Sequence, residues 1–219
     1  PDSYYEGEYQ KLSIVQNVNE DETDYEDLYV KLEMRNEFKP VHMNINKLIE
    51  GSTTPINGAE FELYQTDGSG LEIGTPVAKG ISGANEADEE KGMLTFYSVN
   101  ENGEYLLVEG EKVIHPIGEP DSFIHIDNEE NANYAEYKIV ESQSPEGFKE
   151  PDENDTWILR LYDNEAGTIQ LRQTGEANWQ YLTHSTDEEG RLWVEFTAYN
   201  TFDYREIRVR KLDHEGNPL

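Results

Sequence analysis

Residues 192–202 read LWVEFTAYNTF. Leu192, Val194, Phe196 and Ala198 fall on alternate positions, and a β-strand turns alternate side chains to opposite faces. The stretch therefore predicts a strand whose even positions point inward. The inward phase runs on into Asn200 and Phe202, so an amide continues an apolar face.

The stretch also has a relative upstream. Residues 28–38 read LYVKLEMRNEF, and Leu28, Val30, Asn36 and Phe38 match Leu192, Val194, Asn200 and Phe202 at a constant shift, 192 − 28 = 164. The same shift carries Lys47-Leu48 onto Lys211-Leu212, with Met43 and Ile45 falling on Ile207 and Val209. A fixed offset kept over both segments is the signature of a repeat. The expected organisation is a tail of one repeat over 1–38, one whole repeat over 40–204, and the first strand of the next over 205–219. With Pro1 rather than Met at its start, the chain reads as a section of a longer tandem array.

Within the whole repeat the texture is β throughout. Strand-like runs occupy 41–48, 59–65, 93–99, 104–109, 112–117, 123–127, 134–141, 157–163, 167–172, 179–184 and 191–202. Turn signals such as Asn57-Gly58, Asp67-Gly68, Asn102-Gly103 and Glu189-Gly190 separate them. No apolar stripe of helical period appears, and the acidic run 85–91 (NEADEEK) reads as a solvated loop. Many short strands with frequent turns predict an all-β, Greek-key β-sandwich, with inserted hairpins or loops over 100–133 and 163–190.

Composition narrows the function classes. The chain of 219 residues carries 47 Asp plus Glu against 17 Lys plus Arg, a formal charge of −30. That field has the wrong sign for a nucleic-acid binder and disfavours an anionic membrane surface. No run approaches the roughly 18 apolar residues of a membrane helix. There is no Cys, hence no disulfide and no thiolate chemistry. A hydrophobic fraction of 35% with this charge raises disorder as an option, and 14 Tyr, 7 Phe and 3 Trp, mostly in alternating segments, weigh against it.

Two further strands carry a polar residue in the inward phase. In 41–47 the odd positions are Val41, Met43, Ile45 and Lys47; in 137–141 they are Tyr137, Ile139 and Glu141. Strand ends often carry polar residues, which accounts for any one of the three alone. Together with Asn200 they form a set, and the Lys and the Asn recur as Lys211 and Asn36. A lone buried charge is costly, and a half-satisfied set is worse.

These segments resemble a known family. INKLIEGSTTPINGAEFELY (45–64) is similar to the opening of a Cna B-type (SpaA-like, prealbumin-like) repeat domain of Gram-positive surface adhesins and pilins: a strand ending in Lys, a loop, then Gly-Ala-x-Phe-x-Leu. YKIVESQSPEGF (137–148) resembles that family's Tyr-x-Leu-x-Glu-x-x-Ala-Pro-x-Gly-Tyr, departing from it at Ser144 and Phe148. Residues 192–202 resemble its closing strand, and IRVRKLDHEGNPL (207–219) looks like the next domain beginning. The resemblance implies an intramolecular isopeptide bond with Lys47 as nucleophile, Asn200 as electrophilic carboxamide and Glu141 as proton shuttle. Asn36 and Lys211 would be the unpaired equivalents in the flanking repeats. An amine attacks only when neutral; burial lowers a Lys pKa and raises that of a carboxyl, so a protonated Glu141 would hydrogen-bond the Asn200 carbonyl. Glu109 is the alternative shuttle, since EYLLVE (104–109) also puts Tyr105, Leu107 and Glu109 in one phase. The reaction is single-turnover, so no enzyme acting on an external substrate is implied, and no cofactor.

The function implied is a structural stalk domain of an extracellular, cell-wall-anchored adhesin or pilus-like protein, its partners the adjacent repeats of the same chain and its anchoring signal beyond this segment. The alternative is a module that recognises a host matrix protein or a glycan through the inserted loops. Other constellations carry less. His42, His115, His125, His184 and His214 show no metal-ligand spacing, with His115 and His214 read as turn residues. The acidic loops DNEENAN (127–133) and DENDT (152–156) lack the calcium-loop pattern. Trp157, Trp179 and Trp193 are candidates for a sugar platform, with edge packing under an inserted loop as the plainer reading.

Overall fold

In the computed structural model, residues 40–84, 91–118, 123–124, 134–162 and 168–203 are described. Asn36, Lys211 and both flanking repeat segments lie outside them, as do His125, His214, the 127–133 loop and most of the 85–91 run. The described chain is all-β. Its strands are β1 (Val41–Ile49), β2 (Glu60–Gln65), β3 (Ala78–Ile81), β4 (Met93–Thr95), β5 (Tyr97–Ser98), β6 (Leu107–Val108) and β7 (Glu111–Lys112). There follow β8 (Phe123–Ile124), β9 (Tyr134–Gln143), β10 (Thr156–Tyr162), β11 (Ile169–Gln173), β12 (Gln180–Leu182), β13 (His184–Thr186) and β14 (Leu192–Asn200). Among the described residues no helix is long and apolar enough to cross a membrane.

Two main sheets form. The smaller runs β13-β14-β1-β4; the larger runs β12-β11-β10-β9-β2-β3-β5, with β8 also on β9. Pairing is antiparallel except between β1 and β14, which run parallel in continuous register from Val41 opposite Leu192 to Ile49 opposite Asn200. A parallel pair needs a long crossover. Here the crossover is nearly the whole domain, so its first and last strands are direct neighbours.

The alternation read from the sequence sets the core. Val41, Met43 and Ile45 of β1 and Val194, Phe196 and Ala198 of β14 are buried on one side. Phe61 and Leu63 of β2, Tyr137 and Ile139 of β9, and Leu159 and Leu161 of β10 are buried on the other. Trp157 packs its ring 5.5 Å from that of Phe196 and 6.1 Å from that of Phe61, joining the sheets into a sandwich-like pair of layers. Each such side chain contributes roughly 1.5–3 kcal/mol when fully buried.

Several expectations are corrected. Strand β3 was not anticipated: it is four residues long, and its Gly80 hides the pattern. A Cβ at Gly80 would sit 2.6 Å from the Thr95 carbonyl oxygen and 2.7 Å from the Leu94 side chain, so the close passage of β4 requires glycine there. The 104–109 run is a strand only at Leu107–Val108, which turns through Glu109-Gly110 into β7 as a small exposed hairpin. The 179–184 run breaks into β12 and β13, which join different sheets. Phe202 leaves the inward phase, 39% exposed, and stacks on Phe148 at 4.8 Å. His115 is not a turn residue; its backbone N–H donates to Phe96 O in an extended segment between the bridging residues Ile114 and Ile117.

Candidate functional site

Lys47 lies opposite Ala198 in the β1–β14 ladder, and Asn200 is the next residue on the same face of β14. The parallel register thus makes the two side chains diagonal neighbours on the inner face of the smaller sheet. Glu141 comes from β9 in the larger sheet and faces them across the core. Lys47 Nζ donates to Glu141 Oε2 at 2.6 Å and to Asn200 Oδ1 at 2.6 Å. Asn200 Nδ2 donates to Glu141 Oε1 at 2.6 Å, closing a three-membered ring of contacts.

The turn after β9 holds this end of the sandwich shut. Phe148 bridges to Phe202, Lys149 N–H donates to Thr201 O, and Asp203 N–H donates to Gly147 O. The chain leaving β14 is thereby pinned to the chain leaving β9, which sets Asn200 against Glu141. On the other flank a Cβ at Gly92, whose φ is +59°, would meet Lys47 O at 2.5 Å. Glycine there lets the loop close over the Lys47 backbone, whose N–H donates to Gly92 O.

Water is excluded from the site: Lys47 is 0%, Glu141 2% and Asn200 6% exposed. The Phe61 ring lies 5.3 Å from Nζ. Desolvation holds the Lys47 amine below its ordinary pKa, against the opposing pull of the Glu141 and Asp155 carboxylates. The arrangement places a buried amine, a carboxamide and a carboxylate in mutual contact, with the carboxylate touching both nitrogens. One feature differs from expectation. Glu141 meets the carboxamide through its nitrogen, and the carbonyl oxygen is met by Lys47.

Glu109 stands at the exposed tip of the β6–β7 hairpin with φ +55°. Ser144, noted in the sequence only as a departure from a family pattern, is a member of the site: its Oγ accepts from Asn200 Nδ2 at 2.8 Å and donates to Glu141 Oε1 at 3.0 Å. The signal for it was a hydroxyl three residues after the Glu, where the pattern has a methyl.

The remaining candidates disperse. Trp157 is core, so the three tryptophans form no common platform. Trp193 donates from Nε1 to Asp187 Oδ2 at 2.8 Å and packs its ring 5.2 Å from that of His42. The Arg160 and Arg172 guanidinium groups each lie over the Trp179 ring, 4.5 Å from its centre. Both arginines line an open depression of about 620 Å³ with Glu136, Lys138 and the Gly68–Gly70 turn. In 152–156, Asp155 Oδ2 accepts from Asp152 N–H and Asp152 Oδ1 from Asn154 N–H, a self-capped turn. Among the described residues no group of three potential metal ligands clusters. No protein-family model matches the chain, and no curated protein matches its sequence.

Proposed function

We propose that the chain is a section of an extracellular tandem array whose repeats are structural stalk domains, each locked by an isopeptide bond between its first and last strands. The observation that carries this reading is the buried contact of Lys47 Nζ with Asn200 Oδ1 and Glu141 Oε2, both at 2.6 Å. A stability role alone accounts less well for it, because the desolvation of a buried ion pair can exceed its Coulombic gain. Chemistry accounts for it better. Lys47 gives a proton to Glu141 Oε2 and becomes a neutral amine. Its Nζ attacks Asn200 Cγ, Glu141 passes that proton to Nδ2, the Cγ–Nδ2 bond breaks and ammonia leaves. The second amine proton then passes from Nζ to the vacated Glu141 carboxylate, leaving one amide N–H and a neutral carboxyl. Fixed neighbours in a packed core supply the effective concentration.

The Greek-key, Cna B-type assignment belongs to this proposal, supported by the order of the motifs and by the parallel closure of β1 on β14. The motif resemblance also supports a wall-anchored protein of a Gram-positive surface. The intact mass of the 219-residue chain tests the reading. A loss of about 17 Da, one ammonia, is expected, and it should vanish in Lys47→Ala and in Asn200→Ala. A folded chain of unmodified mass refutes it.

A second reading, ligand recognition through the 163–190 segment, has one observation in its favour: Trp179 in contact with two arginines beside an open depression. Saturable binding to a glycan or matrix-protein array, lost in Trp179→Ala, would establish it.

A further inference from the structure

We infer that Ser144 is a fourth working member of the site, a positioning residue that fixes the Asn200 carboxamide for attack and holds its nitrogen as leaving group. This inference rests on the cross-linking reading above. The Asn200 carboxamide has two N–H donors and one carbonyl. One N–H goes to Glu141 Oε1 at 2.6 Å and the other to Ser144 Oγ at 2.8 Å, while Oδ1 faces Lys47 Nζ at 2.6 Å. Ser144 in turn donates its own proton to Glu141 Oε1 at 3.0 Å. The hydroxyl therefore reads both partners at once, as an acceptor for the amide and a donor for the carboxylate.

The need for a second holder follows from which oxygen meets which nitrogen. Glu141 receives the amine proton at Oε2, because that is the oxygen on Nζ, yet it touches Nδ2 through Oε1. Delivering the same proton to Nδ2 requires the carboxyl group to turn about its Cγ–Cδ bond. During that turn the Nδ2–Oε1 hydrogen bond is lost. Ser144 Oγ keeps the nitrogen where the turned carboxyl can reach it. The balance is one Nζ proton moved through Glu141 to Nδ2, a second Nζ proton left on the Glu141 carboxyl, one Nζ–Cγ bond formed, one Cγ–Nδ2 bond broken and one ammonia released. Without the hydroxyl, one Nδ2–H in a water-free site has no acceptor, and the carboxamide loses the contact that distinguishes its two ends when Glu141 is neutral. Ser144 is itself only 7% exposed, so solvent is a poor substitute.

Ser144 follows the end of β9 and precedes Pro145, whose carbonyl accepts from Phe148 N–H in the turn clamped onto 201–203. The hydroxyl is thus carried by a hydrogen-bonded turn.

The test follows newly translated full-length chain after a short label pulse, reading the cross-linked fraction with time by denaturing-gel mobility and intact mass. Ser144→Ala should slow bond formation about tenfold or more, equivalent to about 1.4 kcal/mol in the barrier. Ser144→Thr, which keeps the hydroxyl, should recover to within about threefold of the unaltered chain. Ser144→Cys, nearly isosteric but a weak hydrogen-bonding group, should stay slow, and it carries the test if the Ala variant resists folding as judged by native protease resistance. Equal rates with and without the hydroxyl, or a Thr variant as slow as Ala while folded, overturn the role of Ser144 alone. Absence of any cross-link in the unaltered chain overturns the underlying reading as well.

Discussion

Two carboxylates competed in the sequence for one role, and their surroundings separate them. Glu141 sits against Lys47 with its side chain fully buried, whereas Glu109 is exposed at a hairpin tip. Glu141→Gln should therefore give a folded chain of unreduced mass, and Glu109→Gln a chain that still loses one ammonia. The reverse outcome in intact-mass measurement would exchange their roles. A second buried titratable group makes no contribution to the site. His115 Nδ1 is 2.9 Å from Ser98 Oγ, but its Nε2 is buried with no partner. Desolvation, with the neighbouring His42 charge, pushes its pKa down to about 4. The unfolded chain then binds more protons than the native one between about pH 6.5 and 4, so stability is complete above the upper value and falls on acidification through that window. The loss attributable to His115 should reach about 2–3 kcal/mol at pH 4.5. Urea unfolding at pH 7 and 4.5, performed in the Lys47→Ala background, should show that loss diminished in His115→Gln.

Among the elements, the short β3 shows how a sheet can be set by what a residue lacks. Gly80 allows the chain to pass the Thr95 carbonyl closely, and any side chain there meets backbone that cannot retreat. Gly80→Ala should destabilise the unlinked domain by roughly 1–3 kcal/mol, as overpacking does, read as a lower urea midpoint with unchanged slope. The β9 turn acts differently. Its Phe148–Phe202 stack and the backbone bonds to Thr201 and Asp203 bring no apolar core residue inward, yet they set the separation of Glu141 and Asn200. Phe148→Ala should therefore slow cross-linking in the pulse experiment more than it lowers the thermal midpoint of the linked chain. A variant that reacts at the normal rate would show that the β1–β14 ladder alone positions the site.

For the molecule as a whole, the decisive geometry is that the first and last strands lie side by side and point the same way. Tension entering at Val41 and leaving beyond Asn200 shears that ladder. The proposed bond from Lys47 to Asn200 would span 153 residues, which the load would then bypass. The chain-entropy treatment developed for disulfides gives about 5 kcal/mol for a loop on the order of 150 residues. The mechanical consequence is larger. Single-molecule pulling on the unaltered chain should lack an extension on the order of 500 Å, the reach of the bypassed segment at about 3.4 Å per residue. Asn200→Ala should restore it. In the proposed array, a charge of −30 would make neighbouring acidic domains repel one another.

The strand alternation by itself determined that Lys47, Glu141 and Asn200 point inward, because the period of a strand is two and one buried neighbour fixes the phase of the rest. It equally determined the inner faces of β1, β9 and β14. It misjudged 104–109, where a turn at Glu109-Gly110 interrupts the period, and it passed over β3, where a glycine erases it. Tertiary structure alone decided that β1 pairs with β14 in parallel, that β9 comes from the facing sheet, and that the carboxamide presents its nitrogen to Glu141 and Ser144. The physical reason is that periodicity assigns a side chain to a face. Partners across 153 and 94 residues are chosen by register and by the turn that joins 145–149 to 201–203.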